Sequence, residues 1–256
     1  MAYGVRPVAV VTGVGRRAGI GAAIVEKLAG QGWDVGFTYW RPYDDRMTWG
    51  RDDEARAAIT EAAQARGARV VAVEADLASV EAPGKVFAEV RAGLGGVRAL
   101  VMAHAESVDS AILDTSVESW DRHFAVNARA SWLLVRQFAQ DFADPFGSGR
   151  IVALTSDHTA GNLPYGASKG ALDRVVLAAA LELRGLGVTA NVVNPGPVQT
   201  GWMDDAFQAE IRERTPLGRD GVPGDSADLI AFLLSAAGGW VNGQLLHSDG
   251  GFSAAR

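Results

Sequence analysis

The chain has 256 residues, 48% hydrophobic and 21% charged, with a net charge of −6 at pH 7. That length and balance suit one globular domain with a sizeable core, and a pI of about 5.3 argues against broad nucleic-acid binding. Cysteine is absent, which excludes disulfides and thiolate metal sites and makes a reducing, cytoplasmic setting the expectation.

The stretch Met1–Pro7 lacks the apolar core of a leader. No apolar run reaches the roughly 18 residues of a membrane span. The β-branched run Val8–Thr12 predicts a buried strand, and Ile20–Leu28 a helix that closes near Gly30 or Gly32. Further strands are predicted at Val35–Tyr39, Arg69–Glu74, Ala99–Ala103, Ile151–Thr155, Thr189–Asn194 and Gln244–His247. Helical patterns fall between them at Asp53–Arg66, Val80–Arg91, Ser119–Phe142, Tyr165–Leu186 and Ser226–Ser235. Alternating strand and helix means a parallel sheet covered on both faces, hence a doubly wound α/β fold of about seven strands. No repeat, linker or composition shift divides residues 1–256, so a single domain is expected. Trp40–Arg51 and Pro195–Arg219 read as irregular. In the second, Trp202, Met203 and Phe207 either form an apolar lid over a substrate or pack on the core or a neighbouring subunit.

Between the first strand and first helix lies Thr12-Gly13-Val14-Gly15-Arg16-Arg17-Ala18-Gly19-Ile20-Gly21. Glycines there let the chain turn tightly and let a pyrophosphate approach the backbone, and the helix N-terminus supplies free N–H groups. A dinucleotide site is expected from that context. An acid at the end of the second strand would bind the ribose 2′-hydroxyl of NAD, but this strand ends Phe37-Thr38-Tyr39-Trp40-Arg41. Arg16, Arg17 and Arg41 either face a 2′-phosphate, which arginine forks bind well, or are solvated. NADP(H) is therefore expected over NAD(H), with Asp44 and Asp45 nearby as a counter-indication. Asp76, followed by Leu77 after the third strand, is either an adenine contact or a helix N-cap.

Ser156 follows the fifth strand, at the edge where ligands of such sheets bind. Tyr165 and Lys169 stand four residues apart, on one helical face. A lysine cation beside a phenol favours the phenolate and lowers its pKa, fitting the pair for proton exchange with an alcohol or ketone oxygen. Asn127 is an odd polar residue among Phe124, Val126, Trp132 and Leu133. His104 is expected to be packed and hydrogen-bonded; His158 either lines a pocket or is solvated. No metal site is expected.

Together these motifs resemble the short-chain dehydrogenase/reductase family. The resemblance runs from Val8 to Phe252 through the glycine loop, Ser156, Tyr165-x-x-x-Lys169, Asn194-Pro195-Gly196 and Gly243-Gln244…Asp249-Gly250-Gly251, all in order. Within the family, the loop and Tyr39-Trp40-Arg41-Pro42 resemble members labelled 3-oxoacyl-carrier-protein reductases. The resemblance implies Tyr165 as acid–base residue, Lys169 as its electrostatic partner and Ser156 as ligand of the substrate oxygen. It implies that Asn127 holds a water of the proton relay and that Thr200 meets the nicotinamide carboxamide. Cofactor contacts are implied for Gly13, Gly15, Arg16, Arg17, Gly19, Ile20 and Arg41, for Asp76, Leu77 and Ala103, for Tyr165 and Lys169, and for Pro195, Gly196, Val198 and Thr200. It further implies a small-molecule or carrier-tethered carbonyl substrate and a homotetramer. Alternatives are an NAD-dependent alcohol dehydrogenase or a non-catalytic dinucleotide sensor. The chain departs from the family pattern in three places. The glycine loop is two residues longer counted from Gly13, or keeps the usual spacing counted from Gly15 with its Thr-Gly displaced; Met102-Ala103-His104-Ala105 replaces Asn-Asn-Ala-Gly; and only eight residues separate Ser156 from Tyr165.

Overall fold

Seven strands lie side by side in a computed structural model that describes residues 6–255. Met1–Val5, most of the stretch read for a leader, lie outside the described residues. The strands are β1 (Val8–Thr12), β2 (Asp34–Tyr39), β3 (Val70–Glu74), β4 (Val97–Met102), β5 (Arg150–Leu154), β6 (Thr189–Asn194) and β7 (Leu245–His247). All pair in parallel, in the order β3-β2-β1-β4-β5-β6-β7. The expected doubly wound sheet is thus observed. Its topological switch falls between β1 and β4, where the order reverses and a crevice opens at the strands' carboxyl ends.

Nine helices cover the sheet among the described residues: α1 (Ile20–Gly30), α2 (Arg41–Asp45), α3 (Ala55–Gln64), α4 (Ala82–Leu94), α5 (Val117–His123), α6 (Ala130–Asp141), α7 (Leu163–Glu182), α8 (Asp205–Arg214) and α9 (Pro223–Leu234). The inner strands are rich in apolar residues because both of their faces are buried, as in β1, where all five residues are buried, whereas the edge strand β7 is largely exposed. Val8 and Val10 point to a core shared with Phe87 of α4, Phe138 of α6 and Leu172 of α7. Their neighbours Ala9 and Val11 point to the opposite core, with Ile24 of α1, Ile59 of α3 and Ile230 of α9. The period of two along a strand produces this division.

Three expectations change. Ser119–Phe142 is not one helix: α5, which Ser116 caps by accepting the Ser119 N–H at 3.1 Å, runs into a π-helical turn, Phe124–Arg129, before α6 begins. Trp40–Arg51 contains the five-residue α2. Pro195–Arg219 contains α8, whose N-cap Asp204 accepts the Phe207 N–H at 2.8 Å. Both short helices are mostly exposed and polar, so hydrophobic periodicity gave no sign of them.

Candidate active site

β5 and α7 position the chemistry. Ser156 sits two residues beyond β5, and its hydroxyl accepts the His158 N–H at 3.2 Å while sharing a hydrogen bond with Tyr165. His158 itself is exposed. Tyr165 lies in the first turn of α7 and Lys169 one turn later. The Lys169 ammonium donates to the carbonyls of Leu154 at 2.9 Å and His104 at 3.4 Å. These carbonyls end β5 and follow β4, so one lysine ties α7 to the sheet edge.

The electrostatics differ from the sequence expectation. Burial pushes the Tyr165 phenol up to about 12, with the Ser156 hydrogen bond pulling the other way. Burial lowers Lys169 to about 8, against the opposing pull of Asp173. The ammonium lies over the phenol ring, 5.7 Å from its centroid, and is committed to two carbonyls. In this arrangement desolvation outweighs the Ser156 hydrogen bond, and the phenol stays protonated at neutral pH.

Asn127 lies in the π-turn and is fully buried. Its Oδ1 accepts the Glu106 N–H at 2.8 Å; its Nδ2 donates to the Glu106 carbonyl at 2.8 Å and to Ser168 Oγ at 2.9 Å. Ser168 Oγ in turn donates to the Tyr165 carbonyl at 2.8 Å. The side chain thus braces the loop after β4 against α7. His104 is packed and hydrogen-bonded as expected. Its Nε2 donates to the Val126 carbonyl at 3.0 Å, so Nδ1 accepts the Thr12 hydroxyl at 2.6 Å. Burial lowers it to about 3, which keeps it neutral.

The short segment between Ser156 and Tyr165 lies directly on α7. A Cβ at Gly166 would fall 2.0 Å from the His158 carbonyl oxygen. Asn162 pins the far end by donating to Ser107 Oγ at 2.9 Å and Asp109 Oδ1 at 2.7 Å.

The lengthened glycine loop begins by continuing the sheet. The Val14 N–H donates to the Thr38 carbonyl at 2.7 Å and the Gly13 N–H to Thr38 Oγ1 at 3.2 Å. Gly13 has φ +77, and a Cβ there would lie 2.5 Å from His104 Cα. Gly19 caps α1 without a side chain, leaving N–H groups of the first turn facing the crevice edge. A close glycine turn, an uncapped helix N-terminus and the nearby Arg16 suit the phosphates of a dinucleotide.

The other predicted cofactor residues are placed as follows. Ile20 opens α1, Ala103 follows β4 and Leu77 is buried after β3. Pro195, Gly196 (φ +62) and Val198 follow β6, where Asn194 Oδ1 accepts the Gly196 N–H at 3.0 Å. Thr200 is buried and its carbonyl accepts from Arg16 at 2.8 Å. The three arginines are not gathered on one spot. Arg17 pairs with Asp52 at 2.8 Å and Glu54 at 3.1 Å, while Arg41 is exposed and lies 5.5 Å from the Tyr39 ring centroid. Asp76 is not the cap of α4, which starts after Glu81. Its carboxylate instead accepts the Ala78 N–H at 2.9 Å and both nitrogens of the Arg122 fork at 3.1 Å. Sequence reasoning missed Glu106, buried between Arg46 and Arg122. Its one readable signal is a carboxylate just beyond a strand's carboxyl end.

The sheet, the crevice and the Ser-Tyr-Lys group together define a dinucleotide-dependent oxidoreductase. Residues 13–253 match a family model described as enoyl-(acyl carrier protein) reductase. The chain is 35% identical to an uncharacterized oxidoreductase of Bacillus subtilis, YjdA, across 98% of this chain and 99% of that protein. It is 33% identical to an NADPH-dependent aldehyde reductase-like protein of Arabidopsis thaliana, chloroplastic, across 96% of this chain and 93% of that one. It is also similar to a crystal structure of a short chain dehydrogenase from Burkholderia cenocepacia in complex with NADP (TM-score 0.85, 31% identity, 96% of this chain and 98% of that one). The chain belongs to the short-chain dehydrogenase/reductase family. No helix among the described residues is long and apolar enough to cross a membrane.

Proposed function

We propose that the protein is an NADPH-dependent reductase that converts a ketone, such as a 3-oxoacyl thioester, to a secondary alcohol. The observation that carries this is Tyr165, held as a neutral phenol beside the Ser156 hydroxyl at the sheet's carboxyl edge. A reductase needs an acid there, and a phenol raised to about 12 carries its proton at neutral pH. The bound nicotinamide supplies the hydride. Ser156 hydrogen-bonds the substrate oxygen and stabilises its growing negative charge. Tyr165 gives its proton to that oxygen and becomes a phenolate, which the Lys169 cation stabilises. Asn127 keeps the loop after β4 in register with α7 and supports the water of the proton relay. The glycine loop, Arg16, Arg41, Asp76–Leu77, Ala103 and Pro195–Thr200 hold the cofactor. Residues 195–219 cover the substrate.

NADPH-linked absorbance loss against a panel of ketones and 3-oxoacyl thioesters tests this reading; no turnover of any of them refutes it. The short, pinned segment before Tyr165 leaves a wide edge beside the carbonyl. Large or carrier-tethered ketones are therefore expected to show higher kcat/KM than acetoacetyl-sized ones, which are held less firmly. A loop lengthened by four residues that improves turnover of large substrates would count against this. The working assembly is a cytoplasmic homotetramer. A second reading, an NAD-linked alcohol dehydrogenase, draws on Asp44, whose carboxylate reaches the glycine loop.

A further inference from the structure

The segment after β2 lies across the crevice. Asp44 is buried, and a Cβ at Gly15 would fall 2.6 Å from its Oδ2. Its Oδ1 accepts the Trp49 indole N–H at 2.9 Å and faces Arg16 Nε at 3.6 Å. The Arg16 guanidinium stacks 4.5 Å from the Trp49 ring centroid and donates to the Thr200 carbonyl at 2.8 Å. Arg16 thereby joins the glycine loop to the loop after β6. The other side of the segment is fastened to the loop after β4. Arg46 pairs with the buried Glu106 carboxylate at 2.5 and 2.6 Å, and the Tyr43 hydroxyl donates to the Ser107 carbonyl at 3.4 Å. Burial pushes the Tyr43 phenol well above its ordinary value, with Glu106 and Asp44 adding to the shift, so its hydroxyl keeps its proton. The glycine loop, the loop after β4 and the loop after β6 border the crevice, and residues 43–50 together with Arg16 bridge all three.

We propose that Tyr43–Gly50 is a strap that closes the dinucleotide crevice, with the Asp44 carboxylate standing on Arg16 in the place of a cofactor phosphate. This rests on the dinucleotide chemistry proposed above. Three features make the contact exchangeable. The Asp44–Arg16 pair is longer than a hydrogen bond, and a phosphate accepts a guanidinium fork at closer range. Asp44 is an anion beside the helix terminus and glycine turn that suit phosphate, so the two compete for one place. The strap's helix is only five residues long, and its N-cap makes no side-chain bond, so little local structure is lost when it moves. Entry of the cofactor then exchanges one anion for another on Arg16 and frees Asp44 and Trp49.

Hydrogen exchange and stopped-flow binding test the strap with the whole protein. Saturating NADPH is expected to speed amide exchange in residues 43–50 while slowing it in residues 13–21. Asp44→Asn and Arg46→Ala, which unfasten opposite sides of the strap, should each raise the NADPH association rate by about tenfold, because less of the free protein is closed. Protection of residues 43–50 by NADPH, or slower association in both variants, would overturn the proposal; weaker NADH binding in Asp44→Asn would assign that carboxylate to the ribose instead. If a variant fails to fold, exchange in the wild-type protein decides alone. Failure of the wild-type protein to bind either NADPH or NADH defeats the reductase reading itself, whereas binding with no change at residues 43–50 defeats only the strap.

Discussion

Lys169 meets Tyr165 at the ring face, 5.7 Å from its centroid, and spends its hydrogen bonds on the Leu154 and His104 carbonyls. The lysine is therefore a strut as well as a charge, and the phenol and ammonium are separable in their effects.

Tyr165→Phe should abolish carbonyl reduction while leaving fold and cofactor binding nearly unchanged, because the ring still packs and only the proton donor is lost. Steady-state rates alongside a cofactor titration check this. A variant within about tenfold of wild type, a loss of only about 1.4 kcal/mol, would assign the acid elsewhere.

The two titrations have different limbs. Lys169, lowered to about 8, is a cation below that pH and neutral above it. Tyr165, raised to about 12, remains a phenol throughout that range. The kcat/KM for reduction, which reports the free enzyme's groups, should fall as pH rises through about 8. Whatever rate Lys169→Arg retains should lack that limb, since a guanidinium stays charged. A limb that persists in the arginine variant belongs to another group.

Asn127→Ala should destabilise the protein by about 2 kcal/mol, because it strands the buried Glu106 N–H and carbonyl. Denaturant unfolding measures it. An unchanged midpoint would show that water replaces the amide and that the residue is not a brace.

NADPH should bind more tightly than NADH, and Arg41→Ala should narrow that ratio more than Arg17→Ala. Arg17 is held by two carboxylates, whereas Arg41 has no ion pair among the described residues. Fluorescence titration of both cofactors gives the ratio. Equal affinities in the wild type would turn attention to Asp44 as a ribose contact.

Trp240 is 98% exposed, and the edge strand β7 also leaves Leu245 exposed. Sedimentation at micromolar concentration should show a tetramer, and Trp240→Asp should shift it toward smaller species. A wild-type monomer contradicts the assembly.

The inner strands were legible because they are buried on both faces, so Val8–Thr12 stands out as a β-branched apolar run whatever surrounds it; the exposed edge strand β7 gives a weaker signal. Ser156, Tyr165 and Lys169 were legible from spacing, since a strand end followed by a helix fixes where they point. The phenol's environment was not, because burial is a tertiary property. Nor was the place of Asp44: its contact with Gly15 crosses 29 positions of sequence and depends on how a five-residue helix folds back. The break at Asn127 left only an anomaly, a polar residue in an apolar stretch.

That break has a consequence for how the cleft is encoded. A π-turn carries one residue more than the α-helix it interrupts, and each residue advances a helix by about 100°. The surplus residue in Phe124–Arg129 therefore sets the rotational phase of α6 relative to α5. Asn127 lies buried within that turn, while Trp132, in the first turn of α6, is exposed. Deleting one residue there would leave a more regular rod and a misdirected amide. At this point the catalytic cleft is specified by how many residues the chain spends, and only secondarily by which ones.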